Sequence, residues 1–172
     1  LSLQINDPSA DLTLVYVDDV VERFIELIDL ANAEDAGGFE TVTPEYRTTV
    51  GAIANQLAAF KNSRSSLTTE RVGTGLVRAL YSTYLSFLPP NDFAYSVPQH
   101  GDVRGVFVEM LKTPDCGQFS YFTAHPGITR GGHYHHSKTE KFLVVKGHAS
   151  FKFRHMLTGE TYQLETRGEK AE

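Results

Sequence analysis

The window "GITRGGHYHHSKTEKFLVVKG", residues 127–147, holds three of the chain's seven histidines among strand-forming residues. Side chains two residues apart on a strand share a face, so His133 and His135 are expected to project together and His136 to face away. Glu140 follows the turn-like "HSKT" and can return on the neighbouring strand. Two imidazoles and a carboxylate suit a divalent ion such as zinc, manganese, iron or nickel. The window therefore predicts a metal site formed by His133, His135 and Glu140.

On either side of this window the hydrophobic period changes near Pro89 and Pro90. Before the prolines, three segments have apolar residues at helical spacing: "YVDDVVERFIELIDL", "TVGAIANQLAAF" and "GLVRALYSTYLSFL". Asp18 or Asp19 could cap the first, and the prolines end the third. After the prolines, period-two runs predict strands in "GVFVEML", "QFSYFTA", "KFLVVKG" and "HASFKFRHML", with a hairpin turn at "LTGET". The pattern predicts an α+β chain with a boundary between residues 90 and 91.

Composition excludes several classes of function. The formal net charge of −5 over 172 residues argues against a nucleic-acid backbone as the main partner, because that contact needs a basic surface. No apolar run reaches about 18 residues, so no membrane partner is expected. The single cysteine, Cys116, cannot form an internal disulfide, which favours a cytoplasmic location. The sequence opens "LSLQINDP" and closes "TRGEKAE", from which we expect a piece of a longer protein.

The spacing of Gly127, His133, His135, Glu140 and Gly147 resembles the first motif of the cupin superfamily, whose members are small jelly-roll β-barrels that often bind a metal. That resemblance implies that residues 91–172 form the N-terminal half of such a barrel. The second cupin motif, which normally adds another histidine, does not occur in these 172 residues. We therefore expect weak metal affinity, with zinc as the most suitable ion.

A second resemblance concerns chemistry. "DVRGVFVE", residues 102–109, together with "GITRGGHYH" is similar to the paired segments of nucleotide-sugar 3,5-epimerases. The resemblance implies that Arg104, with Arg130, binds the nucleotide sugar and that His133 removes a proton beside a ketone. Those epimerases use no metal, whereas a metal here would occupy His133. Tyr134, His136 and Lys138 are then the other candidates for the base, and spacing alone does not rank them.

The helical half carries a third resemblance. "LTLVYVDDVVERFIELI", residues 12–28, is similar to the substrate lobe of extended short-chain dehydrogenase/reductases. Taken with "LYSTYLSFLP", residues 80–89, the whole chain resembles the bifunctional capsule and O-antigen enzymes that make a UDP-2-acetamido-2,6-dideoxy-L-talose precursor of N-acetyl-L-fucosamine. Residues 1–90 would end the reductase domain. The resemblance implies 3-epimerisation of a UDP-linked 4-keto sugar by the cupin, and its reduction with NADPH by the complete reductase, in a homodimer.

The glycine-rich dinucleotide turn is absent from this sequence, so we expect no NADPH binding by these 172 residues. Two other classes of function stay open at this point. One is a cupin that binds a sugar or a structural metal without catalysis. The other is a transcription regulator in which "TVGAIANQLAAF" opens a helix-turn-helix, although Gly73 and Gly75 interrupt the place of its recognition helix.

Overall fold

The computed structural model describes residues 4–30 and 38–169, and all structural statements concern these residues. By its internal contacts the chain divides into two compact units, residues 1–130 and residues 131–172, which are described separately. The sequence places its domain boundary at residue 90 instead, and that boundary stays a prediction. No helix of the described residues combines the length and the apolar character that crossing a membrane requires.

The first unit contains the three predicted helices. Helix α1 spans Val17–Leu30, with Asp18 and Asp19 inside its first turn and not at the capping position that the sequence suggested. At these positions the two carboxylates lie near the positive end of the helix dipole, which stabilises the helix. Arg23 pairs with Glu26 and Glu40, and no residue of α1 is buried.

Helices α2 and α3 have clear sequence causes for their ends. Helix α2 spans Val50–Ser66 and starts at Thr49, whose hydroxyl accepts a hydrogen bond from the amide of Ala52 at 3.2 Å. Helix α3 spans Gly75–Ser86 and ends before the two prolines, the second of which begins a 3₁₀ turn at Pro90–Asp92. The loop of residues 67–74 between α2 and α3 is too long for the short turn of a helix-turn-helix, so the regulator alternative loses its structural basis.

Two short strands in the helical part were not expected from the sequence. Strand β1, Asp11–Leu14, pairs antiparallel with β2, Tyr46–Thr49. Strands of four residues offer only two side chains to each face, so alternation cannot identify them. The pairing brings Pro8 against the start of α2, where the amide of Gly51 donates to the Pro8 carbonyl at 2.9 Å.

The core of the first unit joins the helices to a three-stranded sheet. Phe60 of α2 is 1% exposed and packs edge-on against the ring of Tyr81 in α3, with centroids 5.0 Å apart. On the sheet side, Val108 is 3% exposed. The segment after α2 is tied to the sheet through Lys112, whose amide donates to Leu67 and whose carbonyl accepts from Thr69. These links cross the predicted boundary between residues 90 and 91. They explain why the internal contacts divide the chain after residue 130 instead.

Three strands after the helices form one sheet. Strands β3, His100–Asp102, β4, Gly105–Thr113, and β5, Gly117–Phe122, form an antiparallel meander in the order β3-β4-β5. A bulge interrupts the β4–β5 register between Glu109 and Leu111. The two strand predictions "GVFVEML" and "QFSYFTA" are therefore confirmed.

The second unit is built on one hairpin. Strand β6, His148–Arg154, pairs along its whole length with β7, Thr161–Arg167, and the "LTGET" turn lies between them as predicted. The predicted strand "KFLVVKG" is wrong, since residues 141–145 have no strand structure. They have no ladder partner among the described residues, and a β-strand requires one to satisfy its backbone groups. The ring of Phe142 nevertheless packs on that of Phe151 at 5.2 Å.

Candidate functional site

The second unit brings His133, His135 and Glu140 together. One ligand atom from each, an imidazole nitrogen or a carboxylate oxygen, lies within 4.8 Å of the other two. The Nε2 atom of His135 is 3.6 Å from Oε1 of Glu140, and the rings of His133 and His135 are 4.9 Å apart. The three side chains that the sequence singles out thus surround one solvent-accessible point.

These residues do not lie on a strand, in contrast to the prediction. Gly131 and Gly132 have φ values of +120° and +75°, which take the backbone out of the β region, and bends follow at residues 136 and 137. The alternation of side chains is kept all the same. The ring of His136 contacts that of Tyr134, with centroids 5.1 Å apart, and His136 is not part of the cluster formed by His133 and His135.

Lys138 lies against this cluster. Its Nζ is 3.0 Å from Oε1 of Glu140, the oxygen that also faces His135. The hydrogen bond from Lys138 is the main reason that the pKa of Glu140 lies below its usual value, and the charges of Lys138, His135 and His133 add to it. Glu140 is therefore an anion at neutral pH, the form in which a carboxylate binds a metal.

The donor set fits a divalent ion. Zinc bonds to imidazole nitrogen and carboxylate oxygen at about 2.0–2.2 Å, so its tetrahedral ligands stand roughly 3.4 Å apart. The His135–Glu140 separation of 3.6 Å is close to that value. The other ligand–ligand distances, all within 4.8 Å, would shorten to the tetrahedral value with side-chain movements on the order of 1 Å. Rotation about the side-chain bonds of glutamate and histidine allows such movements.

The two candidate substrate-binding arginines belong to the first unit. Arg104 lies in the two-residue turn between β3 and β4, where its amide donates to Oδ1 of Asp102 at 2.8 Å and its Nε to Oδ2 at 2.9 Å. These bonds hold the pKa of Asp102 at about 2 and raise that of Arg104. The guanidinium of Arg130 donates to the Thr123 carbonyl at 2.8 Å and lies 5.2 Å above the ring of Phe122.

Asp102 is the functional neighbour that the sequence reasoning did not single out. A usable signal was present, because an aspartate two residues before an arginine in a tight turn can accept from both the amide and the side chain of that arginine. The guanidinium is half exposed, so it keeps open N–H groups for an anionic ligand.

Comparisons with known proteins agree with the resemblance stated from the sequence. Residues 100–172 match the family described as "Polysaccharide biosynthesis C-terminal domain". The whole chain is 63% identical, over 174 aligned residues, to a "UDP-2-acetamido-2,6-beta-L-arabino-hexul-4-ose reductase" of Pseudomonas aeruginosa, of which it covers 46%. The chain therefore spans about half the length of that relative.

Solved structures with the same fold carry the name CapF. A crystal structure of CapF with the inhibitor 3-isopropenyl-tropolone superposes with a TM-score of 0.90 at 42% identity, and the match covers 99% of this chain and 49% of that one. The capsular polysaccharide assembling protein CapF from Staphylococcus aureus gives a TM-score of 0.88 at 42% identity, with 99% of this chain and 46% of that one covered.

These matches confirm the α+β fold class, in which part of a reductase substrate lobe is followed by the first strands of a cupin. They also confirm the resemblance to the bifunctional capsule enzymes.

Proposed function

We propose that this chain is part of an enzyme that modifies a nucleotide sugar in capsular polysaccharide or O-antigen biosynthesis. Its cupin part epimerises ring carbon 3 of a UDP-4-keto-6-deoxy-N-acetylhexosamine. The reductase of the complete protein then reduces the 4-keto group with NADPH to the L-talose derivative. The identity of 63% to a reductase of a UDP-linked hexul-4-ose supports the substrate class. That the complete enzyme is a homodimer stays a prediction.

The observation that carries the proposal is the convergence of His133, His135 and Glu140 on one accessible point. A hydrogen beside a ketone becomes acidic enough to remove only when negative charge on the keto oxygen is stabilised. A divalent ion, preferably zinc, held by these three residues would supply that stabilisation as a Lewis acid. The open side of the cluster leaves room for the keto oxygen of a sugar.

The solved relatives offer independent support for a metal. One CapF structure contains 3-isopropenyl-tropolone as an inhibitor. A tropolone carries a keto and a hydroxyl oxygen on neighbouring ring carbons, a pair that can chelate one divalent ion. Oxygen ligands of this kind suit the set of two imidazoles and a carboxylate proposed here.

The chain's own residues divide the remaining tasks. Arg104, held by Asp102, presents a fixed cation for the diphosphate of the nucleotide, and guanidinium groups match phosphate oxygens well. Lys138 forms an ion pair with Glu140. The candidates for the base are His133, Tyr134, His136 and Lys138, and His133 is excluded wherever its nitrogen binds the ion.

Deuterium exchange tests the proposal directly. In D₂O with added zinc, the chain is expected to exchange the hydrogen on carbon 3 of a UDP-4-keto-6-deoxy-N-acetylhexosamine, followed by mass spectrometry and proton NMR. His135→Ala should lose this exchange. His148→Ala is the matched control, because His148 lies on β6 outside the cluster and should leave exchange unchanged. Tight binding of the sugar without any exchange would show a non-catalytic cupin and contradict the proposal.

A further inference from the structure

We infer that Lys138 regulates the occupancy of the metal site by competing with the ion for Glu140. The inference rests on the proposed metal site. Without an ion, the ammonium of Lys138 neutralises the carboxylate. An ion that binds the same carboxylate would be repelled by the ammonium, so metal uptake and the position of Lys138 are linked.

Lys138 and the proposed metal site share one oxygen of Glu140. Oε1 of Glu140 is 3.0 Å from Nζ of Lys138 and 3.6 Å from Nε2 of His135. An ion bridging His135 and Glu140 at ordinary bond lengths would lie roughly 4–5 Å from Nζ if the lysine stayed in place. Two cations at that distance repel each other, and the lone pairs of the carboxylate oxygen would be shared between them.

The surroundings set the size of the effect. The Lys138 side chain is 50% exposed and that of Glu140 is 30% exposed, so solvent screens the pair. A solvent-screened ion pair between Lys138 and Glu140 can weaken metal binding but cannot prevent it. The four-carbon stem of lysine also lets the ammonium move away without moving the backbone. We therefore expect removal of Lys138 to tighten metal binding by about two- to fivefold, not by orders of magnitude.

An alternative role for Lys138 predicts the opposite sign. If the lysine positioned Glu140 for the metal, its removal would free the carboxylate to turn away, and metal binding would weaken. The direction of the change in affinity thus separates a competitor from a positioning residue.

The experiment measures zinc affinity of the 172-residue chain, prepared without a histidine tag, by competition with a chromophoric chelator. Lys138→Met removes the charge and keeps most of the side chain's length. Lys138→Arg keeps a cation that can pair with Glu140. Lys152→Met is the matched control, because Lys152 lies on β6 and forms no ion pair within residues 38–169. Circular dichroism of each variant checks that the fold is retained.

We expect Lys138→Met to bind zinc about two- to fivefold more tightly, and Lys138→Arg and Lys152→Met to stay within about 1.5-fold of the parent. Equal or weaker binding by a folded Lys138→Met chain would overturn the inference while leaving the metal site intact. If His135→Ala binds zinc as tightly as the parent, or if the parent binds none, the proposed metal site itself fails and the inference fails with it.

Discussion

Asp102 and Arg104 hold each other across the two-residue turn between β3 and β4. The carboxylate accepts from the Arg104 amide through one oxygen and from its guanidinium through the other. The turn thereby fixes the direction of a half-exposed cation before any ligand arrives. A preorganised guanidinium loses less conformational entropy on binding an anion than a freely rotating one.

This pair predicts an acid titration well below the usual range. The pKa of Asp102 is about 2 instead of 3.8, first because the Arg104 side chain donates to it and second because the Arg104 amide does. A lowered pKa means that the stabilising contribution is complete above pH 3.8 and is lost as the pH falls through about 2. Carbon-13 NMR of the aspartate carboxyls should show this midpoint, and Arg104→Gln should raise it towards 3.8.

Arg71→Gln provides the control for that titration, because Arg71 pairs with Asp115 and not with Asp102. It should leave the Asp102 midpoint where it was. An Asp102 midpoint that is the same in the parent and in Arg104→Gln would contradict the ion pair.

Two glycines in the sheet should respond differently to alanine. A Cβ on Gly105, where φ is +135°, would lie 2.3 Å from the carbonyl oxygen of Thr123. Gly117 has a φ of +97° but no atom within 4 Å of the added carbon. Gly105→Ala should therefore cost more than about 2 kcal/mol of unfolding free energy, and Gly117→Ala about 1 kcal/mol from backbone strain alone. Urea unfolding measures both, and equal costs would show that the close approach to Thr123 is not rigid.

The starts of α2 and α3 form a second matched pair. The hydroxyl of Thr49 accepts from the Ala52 amide, whereas Thr74 occupies the same position before α3 without a side-chain cap. Thr49→Ala should destabilise the protein by about 1 kcal/mol, and Thr74→Ala by a few tenths. Thermal unfolding of the two variants compares them under one condition. A larger loss for Thr74→Ala would mean that its hydroxyl has a role outside helix capping.

The sequence predicted the long, strongly periodic elements and missed those that depend on partners. Helices α1, α2 and α3 and the strand runs of β4 to β6 were identified because apolar residues recur in each of them at helical or strand-like spacing. The pairing of β1 with β2 lies in strands too short to show a period. For "KFLVVKG" the pattern was strand-like, but no described strand pairs with it.

The candidate site was predicted through residue spacing, and its backbone was not. The convergence of His133, His135 and Glu140 follows from spacing that works on either an extended or a bent segment. Positive φ values at Gly131 and Gly132 decide between the two, and a glycine in a sequence does not disclose the sign of its φ. The contact of Lys138 with Glu140 could not be predicted because it depends on how the bend at residues 136 and 137 turns the chain.

We expect the 172-residue chain not to bind NADPH. The 172 residues contain no glycine-rich turn of the kind that approaches a dinucleotide pyrophosphate closely. Added NADPH should therefore produce no saturable fluorescence change and no rise in melting temperature. The matched measurement is zinc, which should raise the melting temperature because it binds the folded state at the proposed site. A rise of several degrees with NADPH would place a nucleotide site in this chain.

The final prediction separates ligands from neighbours within residues 133–140. Glu140→Gln and His135→Ala should abolish zinc binding in equilibrium dialysis, since each removes one of three converging donors. His136→Ala is the control because it changes the adjacent histidine, whose ring contacts Tyr134 and does not join the cluster. That variant should keep most of the metal, measured by atomic absorption as moles of zinc per mole of chain. Loss of zinc from His136→Ala alone would show that the alternation of side chains at this bend is reversed, and that His136 is a ligand in place of His135.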